Sequence, residues 1–194
     1  MKRSGNILAA ILLLATLSFG QTKWVIEKSH SNINFTVAHL VVSEVTGKFK
    51  DFTGSIESGK DDFSDMRVNI AIKAVSVDTD EPSRDGHLKG PDFFNAAIDS
   101  IVTFKSSKVE KVSDGKYKVT GDLTMRGVTK SVVLDAQLKG KTKSPWGKTV
   151  AIFKSTTTID RTAWGLKWNK GLEAGGLLVG ENVDLTFNME FIQG

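Results

Sequence analysis

Val183-Asp184-Leu185-Thr186-Phe187-Asn188-Met189-Glu190-Phe191 alternates apolar with polar residues throughout its length. A β-strand turns successive side chains to opposite faces, so such a run buries one face and wets the other. A helix would scatter the same apolar residues around its axis. The stretch reads as a strand, and its pattern recurs upstream. Ile33, Phe35, Val37 and His39 share one face, opposite Asn32, Asn34, Thr36 and Ala38. Val68, Ile70, Ile72 and Ala74 repeat the pattern, as do Val119, Gly121, Leu123 and Met125, and then Val132, Leu134, Ala136 and Leu138.

Turn residues separate these runs: Thr46-Gly47, Ser58-Gly59-Lys60, Ser113-Asp114-Gly115, Arg126-Gly127 and Ser144-Pro145-Trp146-Gly147. The connections are short, which predicts antiparallel neighbours. Asp114-Gly115 is the best hairpin signal, because Gly supplies the positive φ that a tight turn requires. Two segments break the alternation. Thr79 to Asn95 has Asp80-Glu81-Pro82 as a helix start, predicting a short helix and then a loop through Pro91, Asp92, Phe93 and Phe94. Lys167 to Gly180 carries Gly171, Gly175, Gly176 and Gly180, which predicts a long loop at a barrel rim. About eight antiparallel strands lose their edges by closing into a barrel, whose interior is either just filled or holds one small ligand. A sandwich or a solid barrel fits the same alternation.

Composition bounds the rest. The chain has 194 residues, 40% apolar and 25% charged, with no Cys, which fits one ordinary globular domain. Disulfide frameworks, thiolate metal sites and cysteine nucleophiles are thereby excluded. Lys2 and Arg3 precede an apolar run from Ile7 to Leu17, with small residues Ser18 and Gly20 before Gln21. The run falls short of the roughly 17 to 25 residues that a membrane-spanning helix needs. Residues 1–20 therefore read as a cleavable signal peptide and 21–194 as the mature domain, periplasmic or secreted and not inserted in a membrane. Without Lys2 and Arg3, 24 basic side chains face 22 acidic ones. So small an excess, with no basic block, argues against nucleic acid as a partner.

Residues able to carry chemistry are few. The three histidines, His30, His39 and His87, are too few to make a metal centre without several carboxylates, so no metal site is expected. His39 has the parity of the buried row near a strand end, which fits either a core-edge hydrogen bond or contact with a ligand head group. Arg84 and His87 lie three apart on the predicted helix and share a face. They fit either fastening of the helix through Asp85 or Asp92 or a head-group contact, for which the planar fork of Arg84 suits paired oxygens. Asp160-Arg161, near Trp164, admits the same two roles, and a structural ion pair is the favoured one. The G-x-S-x-G, H-E-x-x-H, phosphate-loop and dinucleotide signatures do not occur, so no catalytic residue is assigned. Asn34-Phe35-Thr36 matches a glycosylation sequon but lies inside a predicted strand, and no modification is read from it.

Several segments together resemble one family, the YceI-like lipid- or polyisoprenoid-binding proteins of the bacterial envelope. They run from Trp24-Val25-Ile26-Glu27-Lys28-Ser29-His30-Ser31 through Phe35-Thr36-Val37-Ala38-His39-Leu40 to Val45-Thr46-Gly47-Lys48-Phe49. The most distinctive is Arg84-Asp85-Gly86-His87-Leu88-Lys89-Gly90-Pro91-Asp92-Phe93-Phe94. Val119 to Lys130 and Asp160-Arg161-Thr162-Ala163-Trp164-Gly165-Leu166 complete the resemblance. Glu27 stands where the family usually has Asp, and Asp99-Ser100 replaces a common Tyr-Pro.

The resemblance implies an all-β, extended lipocalin-like eight-stranded antiparallel barrel with a short helix, whose apolar tunnel holds a polyisoprenoid, an isoprenoid quinone or a similar amphiphile. Strands of ten residues reach about 33 Å, enough to sheathe an extended tail. Each buried methylene contributes roughly 0.8 kcal/mol, so ten give about 8 kcal/mol gross. On this reading the tunnel is lined by Phe35, Val37, Phe49, Ile70, Ile72, Phe93 and Phe94, and by Leu123, Met125, Phe153, Trp164, Leu185 and Phe187. His39, Arg84 and His87 are the head-group candidates. The implied role is periplasmic binding, transport or storage of that lipid by a non-enzyme with no cofactor, and a homodimer is compatible with it. Three rivals stay open: a fatty-acid or fatty-amide binder, an enzyme on an isoprenoid or acyl substrate with His39 or His87 as base, and a binding module using the Lys139–Lys148 and Lys167–Gly180 loops.

Overall fold

A computed structural model describes residues 20–173 and 175–194. The leader read over residues 1–20 lies outside the described residues except for Gly20. Ten strands follow in chain order: β1 Thr22–His39, β2 Ser43–Phe49, β3 Phe52–Ser58, β4 Arg67–Lys73, β5 Val77–Asp78, β6 Ile101–Ser113, β7 Lys116–Met125, β8 Val128–Lys143, β9 Thr149–Asp160 and β10 Val179–Gln193. Among the described residues one α-helix, α1, spans Pro82–Lys89 between β5 and β6. The expected eight-stranded antiparallel barrel with a short helix is present. Its ring runs β1-β3-β4-β6-β7-β8-β9-β10 and closes where β10 pairs with β1. The two further strands are a broken extension of the ring: β2 takes over from β3 beside the upper half of β1, and β5 pairs with β2.

Buried parity matches the alternation. Val68, Ile70 and Ile72 of β4, Val119, Leu123 and Met125 of β7, and Phe187, Met189 and Phe191 of β10 all point inward. The expected hairpins at Asp114-Gly115 and Arg126-Gly127 form. Gly115 has φ 65°, and Arg126 and Gly127 have φ 51° and 68°, the left-handed pair that a two-residue turn matched to strand twist requires.

Thr46-Gly47 is not a turn. Gly47 lies inside β2 opposite Phe35, and the chain reverses earlier, at Leu40-Val41-Val42, with φ 53° at Leu40 and 67° at Val41. The glycine serves a packing need: a Cβ there would stand 2.3 Å from Phe35 Cζ. The true turn carries no Gly, Asn or Pro, and it is held by Ser43 Oγ donating to the His39 carbonyl at 2.7 Å and by Leu40 N–H donating to Leu178 at 2.9 Å.

β1 also bends at a bulge between Glu27 and Asn32. Bulged backbone must find partners outside the ladder. The Glu27 carboxylate accepts from Ser29 Oγ at 2.6 Å and from His30 N–H at 3.1 Å, while Ser31 Oγ bridges the Glu27 carbonyl at 2.7 Å and Glu190 N–H at 2.9 Å.

The interior has two storeys. At the end holding the Asp114-Gly115 hairpin, the loop between β3 and β4 tucks Phe63 into the barrel, 1% exposed and at φ 57°. Phe63 meets Trp24 and Phe153 with ring centroids 5.2 Å apart in each case, and Phe153 meets Phe191 at 6.1 Å and Tyr117 at 6.4 Å. Tyr117 Oη donates to the Asp62 carbonyl, and the Asp65 carboxylate binds Ser58 Oγ at 2.6 Å and Gly59 N–H at 3.0 Å. These bonds hold the plug closed, and this end is solid core.

Candidate functional site

Above the aromatic plug the barrel is open inside. A cavity of about 120 Å³ is bounded by Ile33, Phe35 and Val37 of β1, Phe49 of β2, Ile70 and Ile72 of β4, Val102 and Phe104 of β6, and Leu123 and Met125 of β7. Val132 and Leu134 of β8, Thr157 and Ile159 of β9, and Val183, Leu185 and Phe187 of β10 complete the wall. At about 10–15 Å³ of such space per water, the room is that of roughly ten waters, yet the wall offers almost nothing for water to bond.

The upper end is closed by α1, by the loop after it and by the segment between β9 and β10. Glu81 caps α1 by accepting from Ser83 and Arg84 N–H, with Pro82 at the first helical position, where its missing donor costs nothing. Thr79 ties the helix down: buried Asp85 accepts from its N–H at 2.8 Å and its Oγ1 at 2.6 Å, and Arg84 donates to its Oγ1 and its carbonyl, both at 2.8 Å. Leu88, Phe93 and Phe94 then drop into the cavity. Arg126 Nη1 holds the Phe93 carbonyl at 2.6 Å.

Eleven expected tunnel residues line the cavity: Phe35, Val37, Phe49, Ile70, Ile72, Phe93, Phe94, Leu123, Met125, Leu185 and Phe187. Phe153 and Trp164 do not. Phe153 has the inward parity but lies in the aromatic plug, and Trp164 is buried with its Nε1–H donating to the Leu123 carbonyl at 3.0 Å. None of the three head-group candidates lines the cavity. His39 is half-buried at the β1–β2 turn with Nδ1 3.4 Å from Ser43 Oγ, because it is the last paired residue of β1, above the level of the cavity. Arg84 fastens the helix to Thr79. His87 fastens the roof: its Nε2 is 2.9 Å from Asp92 Oδ2, and its ring stands edge-on to Phe93 at 5.0 Å and Trp168 at 4.8 Å.

Arg161 lines the cavity instead. It is 4% exposed, and it is not the ion pair expected with Asp160, whose carboxylate caps the following turn by accepting from Thr162 N–H at 2.8 Å and Thr162 Oγ1 at 2.6 Å. The guanidinium donates from Nε to the Gly180 carbonyl at 2.8 Å, from Nη1 to Leu166 and to Trp168 at 3.2 Å, and from Nη2 to Val179 at 3.3 Å. It also stands over the Phe93 ring, 5.8 Å from the centroid. Burial pulls its pKa below the usual value, opposed by the charges of Glu181 and Asp160. The signal was present in the sequence: Thr157, Ile159 and Arg161 share a parity, so an arginine continues the inward row.

Among the described residues no group of three or more His, Cys, Asp or Glu is placed to hold a metal ion, and no helix is long and apolar enough to cross a membrane.

Residues 24–191 match the model of the YceI-like domain. The chain belongs to the YceI-like family. A UPF0312 protein of Ectopseudomonas mendocina (strain ymp) is 38% identical over 159 residues, covering 79% of this chain and 83% of that protein. The solved YCEI protein of Campylobacter jejuni superposes with a TM-score of 0.69 at 32% identity, covering 81% of this chain and 90% of the other. A structure described as a polyisoprenoid binding domain from Saccharophagus degradans, implicated in plant cell wall breakdown, matches with a TM-score of 0.62 at 18% identity, covering 88% of this chain and 98% of that one. The YceI-like match takes in every strand of the ring except the first two residues of β1 and the last two of β10, so the roofed cavity lies within the family domain.

Proposed function

We propose that this protein binds one long-chain amphiphile, of the polyisoprenoid or isoprenoid-quinone kind, and carries or stores it outside the cytoplasm after export. The observation that carries the reading is the roofed cavity above the plug, whose walls are apolar except for Thr157 and Arg161. An apolar chain loses contact with water on entering it and finds no competing polar partner along the shaft. The kinship supports the same reading, since one structural neighbour is described as a polyisoprenoid binding domain. The wall presents no nucleophile paired with a base, which favours binding over turnover. The signal-like leader supports a periplasmic or secreted site of action.

The test is native mass spectrometry of protein purified from its own cell envelope, followed by solvent extraction of whatever is bound. A single stoichiometric lipid is the expected result. Repeatedly empty protein that also fails to take up prenyl lipids on reconstitution would overturn the proposal.

A further inference from the structure

The hairpin joining β8 to β9 combines two features that the carrier reading does not use. Lys139 to Lys148 carries four lysines, Lys139, Lys141, Lys143 and Lys148, and no acidic residue, with Trp146 at its tip. Trp24 and Trp164 are buried and Trp168 is half-buried against His87 and Phe93, whereas Trp146 is 82% exposed. The turn holds it out. Ser144 N–H donates to the Lys148 carbonyl at 2.8 Å and Gly147 N–H to the Ser144 carbonyl at 2.9 Å, with Gly147 at φ 80°. Below the turn, Val150 and Ala151 are buried and paired with β10, which gives the hairpin a firm base.

The hairpin lies at the plug end, where Leu138 N–H bonds the Gly115 carbonyl at 2.8 Å and Lys141 Nζ reaches Asp61 of the β3–β4 loop at 3.2 Å. Carboxylates at that end are already answered by lysines, since Lys111 Nζ stands 2.9 Å from Asp62 and 3.4 Å from Asp114. Lys143 and Lys148, on either side of the exposed ring, have no ion-pair partner among the described residues. A tryptophan ring with one N–H donor suits the headgroup level of a bilayer, which is apolar on one side and wet on the other. Lysines beside it are attracted to anionic headgroups. A single-stranded nucleic-acid groove needs several rings along a basic track, and this tip has one.

We propose that the β8–β9 hairpin docks the protein peripherally on an anionic phospholipid bilayer, with Trp146 at headgroup level and Lys143 and Lys148 against the phosphates. A barrel held by its plug end leaves the roof free.

The test is co-sedimentation of the mature protein with vesicles of equal phosphatidylglycerol and phosphatidylethanolamine, and with vesicles of phosphatidylcholine alone, at low and at high salt. The anionic vesicles should bind it, phosphatidylcholine should not, and high salt should release it. Lys143→Gln combined with Lys148→Gln should lower the partition coefficient about twenty-fivefold, at about fivefold per lysine. Trp146→Ser should lower it about tenfold and remove the blue shift of emission that the wild type gives on docking. Urea midpoints equal to wild type check that the variants keep the barrel. Equal binding to both kinds of vesicle, binding to neither, or anionic binding unchanged in the variants would overturn the docking. Binding to a short DNA duplex as tight as to the vesicles would overturn the bilayer as partner and mark a general polyanion site. Uptake of a prenyl lipid is measured without vesicles, so this proposal and the carrier reading can each fail alone.

Discussion

Asp51 sits at the break between β2 and β3, with Lys28 Nζ at 2.8 Å and Lys73 Nζ at 2.7 Å. Hydrogen bonds from these two ammonium groups hold its carboxyl down to about 2. A depressed folded-state value favours folding above the unfolded-state pKa and loses that contribution as the pH falls through the folded one. The contribution is therefore complete above about pH 4 and lost between about pH 4 and pH 2. Thermal midpoints recorded from pH 6 to pH 2 should fall in that window, and Asp51→Asn should flatten part of the fall. Because the pair lies at the surface, salt should shrink the difference between the two proteins. Single residues also mark the limits of a linear reading. Gly121 has the inward parity of its strand and was legible as such, but not its purpose: a Cβ there would come within 2.6 Å of Phe104 Cζ, a ring contributed by the neighbouring strand.

At the scale of elements, the plug decides how deep the cavity runs. Phe63 enters from a loop that no alternation pattern covers, held by Asp65, Ser58 and Tyr117. Phe63→Ala should lower unfolding free energy by about 3–5 kcal/mol, as for other buried phenylalanines, measured as a reduced urea midpoint. It should also lengthen the cavity toward Phe153, so the preference for long over short saturated tails should rise relative to wild type. An unchanged chain-length preference in a folded variant would show that the floor is set elsewhere. The roof is the opposite case. Its helix was legible from Glu81-Pro82, and Arg84 and His87 do share fastening duties, but their partners are Thr79 and the Asp92–Trp168 pair, which only folding brings together.

At the scale of the molecule, a ligand that binds only the folded barrel stabilises it by mass action. At a free concentration of a hundred times Kd the gain is about 2.7 kcal/mol. For a chain of this size that corresponds to a rise in Tm of roughly 5–10 °C, to be measured by calorimetry on delipidated protein with and without a prenyl lipid. No rise at saturating ligand would mean that binding occurs equally well to unfolded or partly opened chains.

Residue order alone makes legible the alternating strands, the faces they bury, the hairpins at Asp114-Gly115 and Arg126-Gly127, the short helix and the kinship, because alternation and turn chemistry are local properties of the chain. Nine of the expected cavity residues lie on strands, where parity decides which face a side chain takes; Phe93 and Phe94, consecutive in the loop after α1, owe their place to the roof. Parity does not decide height along the barrel axis. Phe153 and Leu185 both point inward, yet one belongs to the plug and the other to the cavity, because level depends on register with neighbouring strands and on where the Phe63 loop enters. The turn at Leu40-Val41 and the glycine at position 47 were likewise fixed by cross-strand packing. Only the tertiary structure brought Arg161 beneath the roof with four backbone carbonyls, three of them from the long loop or its junction with β10, and with no carboxylate bonded to it among the described residues. A buried charge is defined by what surrounds it in space, and that surrounding comes from distant parts of the chain.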